Sequence, residues 1–261
     1  MTNESEKLPP VFLFDEVGST NDLALAAGPA QALHGACWAA DYQTKGRGRR
    51  EVGGGRRVWF SPQRANLYMS VLLRPEIEAS RASGLTLATA AGVCGFIREQ
   101  CGVDLWVKWP NDLLIGTRKV GGILSEAVSG PKGLESVVVG LGINVNLEAD
   151  QIPDALREIM TSLRIEAGRE FDRLGLLQGI RRRVLEYSER YARGGYASIL
   201  DELRAYDRTE GRVVSVLRDG AWVDAISRGI SDDGGLLVEV DGVTQNMHAG
   251  EVRFSMQDAD K

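Results

Sequence analysis

The stretch VKWPNDLL (107–114) sets Lys108, Trp109, Pro110, Asn111 and Asp112 in succession between two apolar runs. Together these residues offer a cation, a hydrogen-bonding amide and a carboxylate of the kind that can meet magnesium. The same composition suits a plain hairpin corner, since Pro fixes one dihedral and Asn-Asp favours a tight reversal. Just beyond, RKVGGILSE (118–126) begins with Lys119 and keeps its surface bare at Gly121 and Gly122, as a backbone lying against a flat ligand would. GLGIN then ends another apolar run on the amide of Asn144.

A second concentration of chemistry lies in DYQTKGRGRR (41–50), where Gly46 and Gly48 alternate with Arg47 and Arg49 in a chain of net charge -5. Glycines let a backbone close around a ligand, and guanidinium groups offer forked donors to phosphate or carboxylate. A second glycine and arginine run, GGGRR (53–57), follows. Taken alone, the loop fits a solvated basic turn as well as it fits a phosphate clamp. A nucleic-acid contact is opposed by the acidic balance and by the lack of a wide basic face with interleaved aromatics. Neither GxxxxGKS nor GxxxxGKT occurs, and GLGINV (140–145) has Val145 where a dinucleotide fingerprint needs its third glycine.

These groups need elements to position them. VFLFDEV (11–17) and GACWAADYQ (35–43) read as strands around a helix capped at Ser19 or Thr20 and ended at Gly28. NLYMSVLLRP (66–75) reads as a strand stopped by Pro75. Leu87, Ala91, Cys94, Ile97 and Cys101 recur at helical steps and predict a helix with both cysteines on its buried face. Short strands at 105–109, 112–116, 119–128 and 135–147 are joined by brief links that favour antiparallel pairing. Phe171, Leu174, Leu177, Ile180, Val184, Tyr187 and Tyr191 predict a long amphipathic helix, with the arginines at 181–183 partly on its polar side, and 196–206 reads as another helix. From 210 to 254, brief β-rich runs alternate with Asp-Gly and Gly-Gly turns, the pattern of a small all-β module.

Composition bounds the rest. A chain of 261 residues, 43% hydrophobic and 26% charged, is ordinary for a globular protein with one sizeable core and a small satellite. Cys37, Cys94 and Cys101 form no CxxC pair and only His34 and His248 are available, so they read as core thiols of a reducing compartment rather than a zinc site. The polar start and the lack of a long apolar run predict a cytoplasmic protein without a signal peptide or membrane span.

GSTND (18–22), DYQTKGRGRR, VWFSPQRANLYMSVLLRP (58–75), VKWPNDLL, KVGGILSE and VVVGLGINVN (137–146) occur in the order and approximate spacing of the biotin protein ligases, and the chain resembles that family from about residue 11 onward. Any one block is weak, whereas six in order are specific. The resemblance implies an α/β (α+β) protein. A catalytic domain at 10–208, similar to class II aminoacyl-tRNA synthetases, would carry a mixed, mainly antiparallel sheet, and a small C-terminal Src-homology-3-like β-barrel would follow at 210–256. It implies activation of biotin by MgATP to biotinyl-5′-AMP, then transfer to a lysine of a biotin carboxyl carrier protein.

Carried over by motif position, Ser19, Thr20, Asn21 and Gln43 would contact biotin. Gly46, Arg47, Gly48 and Arg49 would form a loop ordered over the adenylate. Lys119 would sit where carboxylate meets α-phosphate, and Gly121 and Gly122 would floor the pocket. Asn111, Asp112 and Asn144 would contact nucleotide, metal or acceptor lysine, with Asp112 as the magnesium ligand. Trp59 would pack beside the ligand. Arg47, Arg49, Asp112 and Lys119 are thus the expected catalytic set.

The barrel is either a stabilising cap or an aid in binding ATP or the carrier. Nucleic acid and membrane are not expected partners, and the protein is expected to be a monomer or homodimer. EVGGGRRV (51–58) lengthens a link that relatives usually keep short. Only about ten residues precede the first strand, which predicts a monofunctional ligase without operator binding. The alternatives are a lipoate or octanoate ligase of the same fold and, from another class, a nucleic-acid-binding adaptor.

Overall fold

Period-two alternation in the strands decides where everything else sits. The computed structural model describes residues 8–27, 32–50, 56–218 and 220–254. In chain order its first strands are β1 (Val11–Phe14), β2 (Cys37–Ala40), β3 (Arg47–Arg50), β4 (Arg56–Val58), β5 (Leu67–Leu73), β6 (Leu105–Lys108), β7 (Asp112–Ile115), β8 (Arg118–Gly130) and β9 (Gly133–Ile143). Seven of them form a sheet in the order β1-β2-β5-β9-β8-β7-β6. β1 and β2 are parallel and every other pair is antiparallel, including β6–β7, β7–β8 and β8–β9, whose short links favoured it.

Along β9, Val137, Val139, Leu141 and Ile143 point into the main core, while Val138, Gly140 and Gly142 point the other way. On the core face lie two long helices, α2 (Gly84–Cys101) and α4 (Arg173–Gly194), numbered after α1 (Thr20–Ala26) and alongside the shorter α3 (Leu163–Ala167) and α5 (Leu200–Tyr206). The predicted stripe Leu87, Ala91, Cys94, Ile97 and Cys101 is buried throughout, and α2 ends where Gly102 takes φ +69°. Asp172 caps α4 by accepting from Leu174 N at 3.0 Å. Burial pushes the Cys37 and Cys94 thiols up to about 12 and Cys101 up to about 11, so all three are inert core groups.

Two details of the predicted α4 stripe differ. Leu174, in the first turn, is half exposed. Arg181, expected partly on the polar side, is buried, because its guanidinium donates to the carbonyls of Gly35 and Pro9 and ties the helix to the β1–β2 side of the sheet. On the opposite face of the sheet α1 packs Ala24 on Trp38, Leu72 and Val138, covering only part of that face.

The residues after α5 form a second sheet of β10 (Val213–Arg218), β11 (Ala221–Ile230), β12 (Leu236–Val240), β13 (Val243–Met247) and β14 (Val252–Phe254), in the order β13-β12-β11-β10-β14 and antiparallel throughout. Val240 pairs with Val243 across Asp241-Gly242, both at positive φ, the two-residue hairpin read from the sequence. This small sheet is fastened to the large one. Trp109 Nε1 donates to Gly234 O at 3.1 Å, and the rings of Trp106 and Phe254 meet edge to face at 5.6 Å.

Candidate functional site

The uncovered half of the large sheet's second face floors a cavity of about 310 Å³, within the range of small-ligand sites. Its bareness follows from alternation: Gly122 on β8 and Gly140 and Gly142 on β9 present no side chain there.

At one end the start of α1 supplies Ser19, Thr20 and Asn21, all buried. Thr20 donates to Gln43 Oε1 from both its backbone N (2.8 Å) and its hydroxyl (3.1 Å). Asn21 donates to Glu126 Oε2 at 2.8 Å, and the Ser70 hydroxyl bridges Thr20 Oγ1 and Asn21 Oδ1 at 2.8 and 2.6 Å. A Cβ at Gly140 would lie 2.1 Å from Asn21 Oδ1, so the bare strand is what lets the amide lie flat on the sheet. Ser19 stands at the helix N-cap position without making the capping bond. Its buried hydroxyl lines the cavity instead.

The basic segment is not a free loop. β3 and β4 form a hairpin with a bulge between Arg47 and Arg50. Residues 51–55, where the lengthened link falls, lie outside the described residues. Arg47 is clamped by Glu126 at 2.9 Å and Asp22 at 2.8 Å, while its buried Nε has no hydrogen-bond partner among the described residues. Arg49 donates to Asn111 Oδ1 at 3.5 Å and to Gly250 O at 3.3 Å, a link into the small sheet. Gly48 also lines the cavity.

Further along the floor, Trp59 lies on the glycines. A Cβ at Gly142 would fall 2.7 Å from its ring, and one at Gly122 3.4 Å from it. The Lys119 ammonium stands 5.2 Å from the indole centre. Lys119 Nζ is 2.5 Å from Asp112 Oδ1, and Lys108 Nζ is 3.3 Å from Asp112 Oδ2. Burial works to raise the Asp112 pKa, but the two ammonium groups outweigh it and hold the carboxyl below the usual range. Beyond Lys119 the cavity turns apolar with Phe60, Leu156, Ile159 and Met160. Lys119 N donates to Ile159 O and Thr161 N to Lys119 O, which sews that segment to β8.

Ser19, Thr20, Asn21, Gln43, Arg47, Gly48, Arg49, Trp59, Asn111, Asp112, Lys119 and Gly122 are therefore brought together. Three expected residues are not. Gly121 faces the other side of the sheet, toward Gly142 O and Leu113, because neighbours in a strand cannot share a face. Asn144 is fully buried, accepting from Asn66 Nδ2 and donating to Thr161 O, and does not line the cavity. Gly46 lies under the hairpin, where a Cβ would meet Ser61 Oγ at 2.8 Å. Asp112, the expected magnesium contact, is paired through both oxygens with the Lys119 and Lys108 ammonium groups.

The expected site set left out Lys108, Leu156, Ile159, Met160 and the barrel residues Glu251, Val252 and Arg253, which line the cavity, and Ser70 and Glu126, which hold its polar end from behind. Lys108 stands in the KWPND motif, and Gly140 and Gly142 show as a glycine at every second position of one strand.

Residues 17–144 match the model of the biotin/lipoate A/B protein ligase family. The bifunctional ligase/repressor BirA of Bacillus subtilis is 33% identical over 243 residues, covering 92% of this chain and 72% of that protein. The biotin–acetyl-CoA-carboxylase ligase of Paracoccus denitrificans is 30% identical over 242 residues, covering 90% and 97%. The solved structure of the Aquifex aeolicus biotin protein ligase in complex with biotin and ATP superposes with a TM-score of 0.80 at 27% identity, covering 94% of this chain and 99% of that one. The chain belongs to the biotin protein ligase family.

Proposed function

We propose that this protein activates biotin with ATP and transfers it to a lysine of a carboxylase's biotin carboxyl carrier protein in the cytoplasm. One observation carries the reading at the level of residues: a cavity with a buried polar end, an apolar end and Lys119 between them. Biotin's ureido ring needs buried donors and acceptors, and adenine needs an apolar shelf.

The Ser19 hydroxyl and the Gln43 amide meet the ureido ring, with Thr20 and Asn21 held rigid behind them by Ser70 and Glu126. Adenine lies at Phe60, Leu156 and Met160. A biotin carboxylate oxygen attacks the α-phosphorus, the bond to pyrophosphate breaks, and biotinyl-5′-AMP forms. Lys119 stands beside both anions and offsets their repulsion, so positioning and electrostatics supply the catalysis. Asp112 keeps that ammonium in place. ATP brings its magnesium on its own phosphates.

Arg47 Nε and the Arg49 guanidinium face the adenylate and shield it from water. The acceptor amine then attacks the carbonyl carbon, AMP departs, and an amide remains. The carrier's lysine enters by a second hollow between α2 and the small sheet, which adjoins the first at Arg49 and Asn111. The catalytic domain is taken as 10–208 and the barrel as 210–256, and the barrel takes part in the site through Glu251–Arg253.

Pyrophosphate exchange into ATP tests the reading. Exchange that requires biotin and is not supported by lipoate is expected, and exchange indifferent to biotin refutes it.

A further inference from the structure

From Lys119 the cavity runs in two directions. One follows the strands, along β8 and β9 toward Asn21 at one end and Met160 at the other. The second crosses the strands, from Lys119 on β8 to Asp112 on β7 to Lys108 on β6, and reaches Glu251–Arg253 of the small sheet. Biotin and adenine, placed as above, occupy the first direction. The second is built from charge: among the described residues lining it, Lys108, Lys119, Arg49 and Arg253 face only the carboxylates of Asp112 and Glu251.

Lys108 is the unexplained member. It ends β6 directly opposite Asp112, its side chain is 17% exposed, and its ammonium stands 5.9 Å from the Phe254 ring. Of the two lysines on Asp112 it is the looser, since Lys119 holds that carboxylate at 2.5 Å while Lys108 stands off at 3.3 Å. Two ammonium groups on one carboxylate leave an excess positive charge. The looser of the two can turn to an arriving anion without disturbing the Lys119–Asp112 pair.

An in-line displacement needs the leaving group to depart away from the attacking oxygen, and pyrophosphate is the most highly charged species the reaction forms. We propose that Lys108 is a further catalytic residue, whose ammonium binds the pyrophosphate as it parts from the α-phosphorus, in the branch closed by Glu251–Arg253. Lys119 thus serves the side where the carboxylate attacks and Lys108 the side where pyrophosphate leaves. The proposal rests on the adenylation reading above.

The test is Lys108→Met in the full chain, read by three assays. Biotin-dependent adenylation is expected to fall about 100-fold, as when one preorganised charge is lost from a transition state. The KM for pyrophosphate in the reverse reaction is expected to rise about 10-fold, while transfer from supplied biotinyl-5′-AMP to the carrier stays within about twofold. Lys108→Arg restores most of the adenylation rate.

Adenylation and transfer falling together would mark Lys108 as a prop for Asp112 and overturn the proposal, as would an unchanged pyrophosphate KM. Should Lys108→Met fail to fold by circular dichroism, Lys108→Gln is read by the same assays. If neither folds, the lysine is structural and the proposal falls. Failure of the underlying reading is separately visible, as a parent protein without biotin-dependent exchange.

Discussion

Gly140→Ala isolates the polar end of the cavity. The new Cβ would stand 2.1 Å from Asn21 Oδ1, 2.8 Å from Cγ and 3.0 Å from Nδ2, whereas ordinary contact begins near 3.4 Å. Asn21 must therefore move by about 1 Å or more, since β9 is paired on both sides and cannot retreat from it. That movement breaks the bonds to Glu126 (2.8 Å) and Ser70 (2.6 Å), both inside the site. Each lost buried bond costs about 1–2 kcal/mol, so the pair costs about 2–4 kcal/mol.

With the loss falling on the rigid wall behind the ureido ring, the KM for biotin rises about 30- to 700-fold at tenfold per 1.4 kcal/mol. The KM for ATP stays within about twofold, because the adenine shelf is built from other segments. Steady-state kinetics with each substrate varied separately, on protein shown by thermal melting to be folded, gives the answer. A biotin KM unchanged in a folded variant would refute the role of Asn21, and parallel rises in both KM values would show that the sheet itself had shifted.

Lys119→Ala is expected to leave the fold intact and reduce adenylate formation at least about 1,000-fold, measured by pyrophosphate exchange; full activity would remove Lys119 from the chemistry. Arg49→Gly loses the links to Asn111 and Gly250 and should release biotinyl-5′-AMP early. Mass spectrometry is then expected to find biotin on bystander lysines, and labelling confined to the carrier would count against it. Asp112 gives a pH dependence. Its folded pKa is lowered below 3.8, so its stabilisation is fully present above that value and is lost as pH falls through the lower folded value. Asp112→Asn should therefore be less stable than the parent near neutrality, with the gap closing below about pH 4 in chemical denaturation; a gap constant from pH 7 to 3 would contradict the pairing.

Which parts of this molecule were legible in the chain follows from the range of the interactions involved. The α2 stripe, the Asp-Gly hairpin and the antiparallel order of β6–β9 rest on contacts a few residues apart, and the sequence pattern foresaw each of them. Ordered motif blocks located Ser19–Asn21, Arg47, Arg49 and Lys119 because each block is contiguous, but they carried no information about faces. Asn144 and Gly121 were therefore assigned to the cavity although alternation and the Asn66 bond turn them from it. Arg181 misled for the same reason: helical phase says which side a residue occupies, and nothing local says that the carbonyls of Gly35 and Pro9 lie there to accept from it.

Lys108 shows the limit most clearly. Its chemistry was on view in KWPND, yet a lysine opposite an aspartate in a hairpin is also an ordinary cross-strand pair. What separates the two readings is that Asp112 is already claimed by a lysine from β8 and that a β14 residue more than 140 positions away closes the branch around it. Lys119 belongs to the same run of hairpins, but the β14 residue does not, so the branch around Lys108 is closed only once the small sheet is docked. With Lys108 binding the leaving group as proposed, the barrel is part of the site, and loss of the Trp109 and Arg49 links to it would open that branch.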